Sequence, residues 1–222
     1  MKAIILAAGR GLRLRPLTET TPKALIEING RPLIELTLEA LPDVVDEIII
    51  VVHHLKDQII DHLGDSFQNK PIRYVVQPKL NGTGSALHLL KDELDDQFLV
   101  VNGDDLYNQD DLTRLLDVES GMLVFETNGP APSTIEADDI GCFLGIRQNP
   151  DEDEPVLRNT GAYVLTPDFF DYPLEKIKVH GKVEYSLPHT FNHMVDECGL
   201  KVVKADFWMP VGTPEELEAA NN

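Results

Sequence analysis

Short apolar runs alternate along this chain with segments whose apolar residues fall three or four apart. The runs at 2–6, 48–52, 72–76, 98–101 and 122–125 are continuous. That pattern suits strands covered on both faces of a parallel sheet. Between them, 32–41, 56–63, 85–94 and 110–116 carry helical spacing, and Pro32 suits a first helical turn. Repeated strand–helix–strand units predict an α/β fold, a doubly wound and mostly parallel sheet with helices on both faces.

After about residue 126 the rhythm changes. Asn128-Gly129-Pro130-Ala131-Pro132-Ser133 is loop chemistry. Residues 140–146 and 161–165 read as strands without crossover helices, 185–195 as a helix, 202–205 as a strand and 215–220 as a final helix. The second half is expected to add mixed strands to the same sheet. No linker, repeat or low-complexity stretch divides the 222 residues, so one domain, 1–222, is expected.

Charge sharpens the picture. The net charge is −19, yet residues 1–31 hold six Lys/Arg (Lys2, Arg10, Arg13, Arg15, Lys23, Arg31) against two acids (Glu19, Glu27). The acidic balance disfavours nucleic acid and anionic membranes as partners. The run Asp151-Glu152-Asp153-Glu154 reads as exposed acidic surface. No apolar run approaches the roughly 18 residues of a membrane span, and the N-terminal run lacks signal-peptide features. Cys142 and Cys198 have neither CxxC nor metal-type spacing. They are expected to be two buried free thiols in a reducing, cytoplasmic setting. The scattered histidines (His53, His54, His180, His189, His193) form no metal motif, and no nucleophile elbow is present.

Open α/β sheets bind ligands beyond the carboxyl ends of their strands. Four polar or glycine-bearing segments fall there. The first, Ala7-Ala8-Gly9-Arg10-Gly11-Leu12-Arg13, with Lys23 beyond it, combines glycines with fixed cations. Backbone N–H groups and local positive charge of this kind suit a polyphosphate. The third glycine of a dinucleotide fingerprint is missing, and no glycine precedes Lys-Ser/Thr. The second, Gln77-Pro78-x-x-Asn81-Gly82-Thr83-Gly84, places an amide by a flexible turn. A Gln amide matches the imide edge of uracil or thymine, whereas guanine's two donors would better suit a carboxylate. The third, Asn102-Gly103-Asp104-Asp105, puts carboxylates at a strand end, either as Mg²⁺ ligands or as a helix cap. The fourth is Asn159-Thr160-Gly161.

Together these residues resemble the sugar-1-phosphate nucleotidyltransferases, the NDP-sugar pyrophosphorylases. Leu6–Thr18 with Pro22-Lys23 resembles the signature loop. Gln77 with Gly82-Thr83-Gly84, Gly103-Asp104, Asn159-Thr160-Gly161, Glu184-Tyr185 and Gly212-Thr213-Pro214-Glu215 follow in the family's order. The resemblance implies a Rossmann-like fold with a nucleotide-binding half at 1–126 and a sugar-phosphate-binding half at 127–222. It implies attack of a sugar-1-phosphate oxygen on the α-phosphorus of an NTP, UTP or dTTP, with Mg²⁺ as cofactor. Arg13 would contact the triphosphate, Lys23 the attacking phosphate, and Asp104 the metal. Ala7, Ala8, Gly9, Gly11, Gln77, Gly82 and Thr83 would bind the nucleotide, and Gly141, Asn159, Thr160 and Glu184 the sugar. The β-helix of some relatives is expected to be absent, and a homo-oligomer is left open.

Two departures stand out. Pro210 occupies the position of a second metal acid, and Ile146-Arg147-Gln148-Asn149-Pro150 lacks a lysine that relatives place near the sugar phosphate, with Arg147 a candidate replacement. Two other readings stay open. One is a cytidylyltransferase for a non-sugar phosphate such as phosphocholine, although one Trp and five Tyr give little material for a choline cage. The other is a non-catalytic or regulatory sugar-nucleotide-binding protein, for which Pro210 is the main support.

Overall fold

A computed structural model of the chain describes residues 1–151, 153–179 and 181–222. Glu152 of the acidic run and His180 lie outside the described residues. Up to the end of the fourth helix the order is β1 (Lys2–Leu6), β2 (Glu27–Ile28), β3 (Arg31–Pro32), α1 (Leu33–Glu39), β4 (Glu47–Val52), α2 (Lys56–Leu63), β5 (Ser66–Phe67), β6 (Lys70–Val76), α3 (Thr83–His88), β7 (Phe98–Asn102), β8 (Asp105–Tyr107) and α4 (Gln109–Leu115). Then come β9 (Gly121–Thr127), β10 (Ser133–Ala137), β11 (Phe143–Gln148), β12 (Val156–Leu165), β13 (Lys176–Val179), β14 (Lys182–Tyr185), α5 (Leu187–Thr190), β15 (Lys201–Lys204), β16 (Trp208–Pro210) and α6 (Pro214–Ala220).

The central sheet has eight strands in the order β15-β9-β12-β7-β1-β4-β6-β5. Pairs β7–β1, β1–β4, β4–β6 and β9–β15 are parallel, whereas β12 runs antiparallel to both β7 and β9. This is the mixed, mostly parallel sheet that the sequence predicts, with β12 and β15 contributed by the second half. Both faces are buried. Ala3, Ile5, Ile48, Ile50, Leu99 and Val101 pack with Ile34, Leu38, Ile59 and Leu112 of α1, α2 and α4. Ile4, Leu6, Ile49, Val51, Phe98 and Val100 pack with Ala86, Leu87 and Leu187 of α3 and α5. The apolar run is continuous because alternate residues face two different cores.

Several expected boundaries move. Pro32 pairs with Glu27 in a short ladder and stands just before α1. The helix expected over 85–94 begins at Thr83 and ends at His88. Beyond it the bonds shorten to i→i−3, with Leu90 N–H donating to the Leu87 carbonyl and Glu93 N–H to that of Leu90. The strand expected from residue 140 begins at Phe143, because Asp138 Oδ1 accepts from Ile140 N–H and Cys142 N–H and holds a turn there. The helix expected over 185–195 loses Tyr185 to β14 and lasts only Leu187–Thr190 before tightening into 3₁₀ turns.

The expectation of two free thiols is wrong. Cys142 and Cys198 form a disulfide, with Cα atoms 5.1 Å apart across 56 residues. Tertiary pairing brings them together. Phe143 N–H donates to the Leu200 carbonyl and Val202 N–H to the Gly141 carbonyl, so the start of β11 lies against the chain entering β15. No spacing within the sequence encodes that approach.

Candidate active site

The loop after β1 leaves the sheet between β4 and β7. Ala7 N–H donates to the Val51 carbonyl at 2.9 Å, and Gly103 N–H to that of Leu6 at 3.1 Å. Gly11 has φ 59°, and a Cβ there would lie 2.9 Å from Thr18 Cγ2. The turn closes because the Thr18 hydroxyl donates to the Gly11 carbonyl at 2.7 Å. The segment proceeds through 3₁₀ turns at Leu12–Leu14, Leu17–Glu19 and Lys23–Leu25.

Beside this loop lies a cavity of about 820 Å³ over the carboxyl ends of β1, β6 and β7. One side carries Gln77, Gly82 and Thr83, another Asn159 and Glu184, with Asp104 also in the lining. The reversal of β12 brings Asn159 here. Its pairing places Ala162 opposite Val101, and its register with β9 breaks between Asn159 and Tyr163. Gly161, at φ +77°, accepts the Asn102 side chain so closely that a Cβ would lie 2.0 Å from Asn102 Nδ2. Asn159 Oδ1 accepts from Gly161 N–H at 3.0 Å, and Asn159 Nδ2 donates to the Tyr163 hydroxyl at 2.7 Å.

The Gln77–Gly82 turn is tied to the end of β14. Gln77 Nε2 donates to the Gly82 carbonyl at 3.1 Å. Tyr185 N–H donates to the Asn81 carbonyl at 2.7 Å and Leu187 N–H to the Thr83 hydroxyl at 3.1 Å. Gly82, at φ +108°, has no room for a Cβ, which would lie 2.2 Å from the Tyr185 carbonyl oxygen.

The charged centre is Lys23 with Asp104, Nζ to Oδ2 2.6 Å. The two neighbouring carboxylates differ. Asp104 is one-third exposed, at 33%. Asp105 is buried, and its Oδ1 accepts from Val211 N–H at 3.4 Å. Burial, and then the charge of Asp104, push the Asp105 carboxyl up to about 7. Pro210 pairs with Asp105 across the β8–β16 ladder.

Of the residues marked from the sequence, Ala8, Gly9, Gln77, Gly82, Thr83, Asp104, Asn159 and Glu184 line the cavity. Ala7, Gly11, Arg13, Lys23, Gly141 and Thr160 do not. Arg13 is exposed and lies over Gly212, whose Cβ, if it had one, would be 2.5 Å from Arg13 Nη2. Gly141 sits in the turn against β15. Thr160 is fully buried, and its hydroxyl donates to the Leu123 carbonyl. Arg147 is exposed and paired with Glu136 and Glu154, each at 2.7 Å, and is not in the cavity lining. The C-terminal Gly212–Glu215 motif is a helix start. The Thr213 hydroxyl accepts from Glu216 N–H, and Glu216 Oε2 accepts from Gly212 N–H. Arg10, His53, Tyr163 and Lys182 line the cavity without having been marked as site residues. Arg10 belongs to the basic loop already noted, but the direction of each loop arginine is a tertiary fact.

Among known proteins, residues 2–222 match the family model described as nucleotidyl transferase. The chain belongs to that family. It is 35% identical to the bifunctional protein GlmU of Methanocaldococcus jannaschii over all of its own length and 53% of that relative. The chain thus spans about half the length of the GlmU proteins it matches. It is 29% identical to the UTP–glucose-1-phosphate uridylyltransferase AglF of Haloferax volcanii, covering 99% of this chain and 95% of that one. The crystal structure of a putative glucose-1-phosphate thymidylyltransferase from Bacillus anthracis superposes with a TM-score of 0.84 at 25% identity, covering 100% of this chain and 94% of that one.

Proposed function

We propose that this chain transfers a nucleotidyl group from UTP or dTTP to a sugar-1-phosphate, with glucose-1-phosphate as the first candidate, giving an NDP-sugar and pyrophosphate. The observation that carries the reading is one cavity lined by Gln77, Gly82 and Thr83 together with Asn159 and Glu184, with Asp104 in the same lining and Lys23 paired to it. Relatives named for UTP–glucose-1-phosphate and glucose-1-phosphate thymidylyl transfer support the substrate class.

A sugar-phosphate oxygen attacks the α-phosphorus, a new O–P bond forms, and the bond to the β-phosphate bridge breaks to release pyrophosphate. Two anions must meet, so positioning and charge neutralisation carry the rate. Lys23 supplies a fixed ammonium against the attacking phosphate. Arg10 meets the triphosphate from within the cavity, and Arg13 acts from the loop's outer side. Asn159 and Glu184 orient the sugar, and residues 1–126 and 127–222 act as the nucleotide and sugar-phosphate halves.

The residues fit Mg²⁺ held with its substrate rather than in a protein cage. Among the described residues no group of three or more His, Cys, Asp or Glu could hold a metal ion. Asp104 offers one partly exposed carboxylate, which suits an ion that keeps waters and phosphate oxygens. Bound there, Mg²⁺ would supply further charge neutralisation at the phosphates. The reading is tested by pyrophosphate release over a panel of five NTPs and several sugar phosphates. Release only with UTP or dTTP plus a sugar-1-phosphate supports it, and release with none of the pairs refutes it.

A further inference from the structure

Gln77 is less free to read a base than its sequence position implies. Its N–H donates to the Val52 carbonyl, its side-chain NH₂ to the Gly82 carbonyl, and its own carbonyl lies 2.6 Å from His53 Nδ1. The last contact fixes the chemistry of a neighbour. A carbonyl oxygen can only accept, so the hydrogen of that bond is on His53 Nδ1. In the neutral ring, Nε2 is then a bare acceptor.

His53 directly follows β4, is half-buried, and lines the cavity beside Gln77. Its Nε2 has no protein partner among the described residues. A phosphate oxygen brings no hydrogen to a bare ring nitrogen, so this atom suits the nucleoside end of the ligand. The nucleoside offers two kinds of donor, the imide N3–H of the base and a ribose hydroxyl.

We propose that His53 is a nucleotide-reading residue whose Nε2 accepts a hydrogen bond from the nucleoside of the bound NTP. The inference rests on the proposed NTP site, and direct binding separates the two. Calorimetric titration at pH 8 should show UTP binding about tenfold weaker in His53→Ala than in wild type, with sugar-1-phosphate binding unchanged. Analogues identify the donor. If it is N3–H, 3-methyl-UTP loses affinity in wild type but loses nothing further in His53→Ala. If it is a hydroxyl, 2′-deoxy- or 3′-deoxy-UTP behaves that way. His53→Gln keeps a donor for the Gln77 carbonyl and should recover the fold if Ala does not.

Nitrogen-15 spectra of the histidine ring in the wild-type protein give a second readout. An Nδ1–H tautomer whose Nε2 signal shifts on adding UTP is expected. An Nε2–H tautomer overturns the proposal, as does UTP affinity that His53→Ala leaves unchanged. A wild-type protein that binds no NTP refutes the proposed function itself, and this inference with it.

Discussion

Lys23 Nζ lies 2.6 Å from Asp104 Oδ2, joining residues 81 apart in sequence. The lysine side chain is 11% exposed and the aspartate 33%, so the pair sits at the boundary between protein and cavity. In the proposed reaction an ammonium held this way would meet an arriving phosphate from a fixed position.

Lys23→Ala should therefore cut turnover by roughly 10²-fold or more while leaving the fold intact, since the side chain positions charge more than it packs. Steady-state kinetics and far-UV circular dichroism check this together. Wild-type turnover in a folded variant would remove Lys23 from the mechanism.

Asp104→Asn should raise the Mg²⁺ concentration needed for half-maximal activity, because a hard anionic ligand is lost. Asp105, turned toward Val211 N–H, should not share the task. Mg²⁺ titrations of Asp104→Asn and Asp105→Asn compare the two. A Mg²⁺ shift confined to Asp105→Asn would reassign the metal carboxylate.

Breaking the Cys142–Cys198 bridge should destabilise the protein by about 2–4 kcal/mol, the typical range for a native disulfide. Urea unfolding with and without dithiothreitol measures it. Thiol titration of the unreduced, unfolded protein should find no free thiol.

His88 should make stability fall in mild acid. Its ring packs edge-on to Phe170, and its Nδ1 is buried with no partner among the described residues. Burial, reinforced by Lys91, holds its pKa below the ordinary 6.5. The unfolded chain therefore binds the proton first. The stability cost is absent above the unfolded pKa and grows as pH falls through it toward the lower folded pKa. Thermal unfolding between pH 8 and 5 should show a smaller drop for His88→Phe than for wild type. Equal drops would contradict this.

The strands and the carboxyl-edge loops were legible in the sequence because each is local. Continuous runs such as 48–52 announce burial on both faces, and the glycine and cation loop stands out against an acidic chain. Which second-half strand runs antiparallel was not legible, and the reversal of β12 brings Gly161 against Asn102. The placement of Arg13 over Gly212, the pairing of Arg147 with Glu136 and Glu154, and the disulfide are likewise products of separate segments meeting. Gln77 shows the same limit at one residue. Its amide chemistry was readable, but its bond to the Gly82 carbonyl was not. A Gln77→Glu change would put a carboxylate against that carbonyl, so it should weaken UTP binding as well as alter base preference.

Phosphorus-31 NMR of the enzyme with UTP, glucose-1-phosphate and Mg²⁺ tests nucleotidyl transfer most directly. A pair of coupled diphosphate signals from UDP-glucose should grow in step with pyrophosphate, and a like pair from the corresponding product with dTTP. UMP with pyrophosphate would mean hydrolysis rather than transfer. That outcome, or a spectrum unchanged with every sugar-1-phosphate tried, would contradict it.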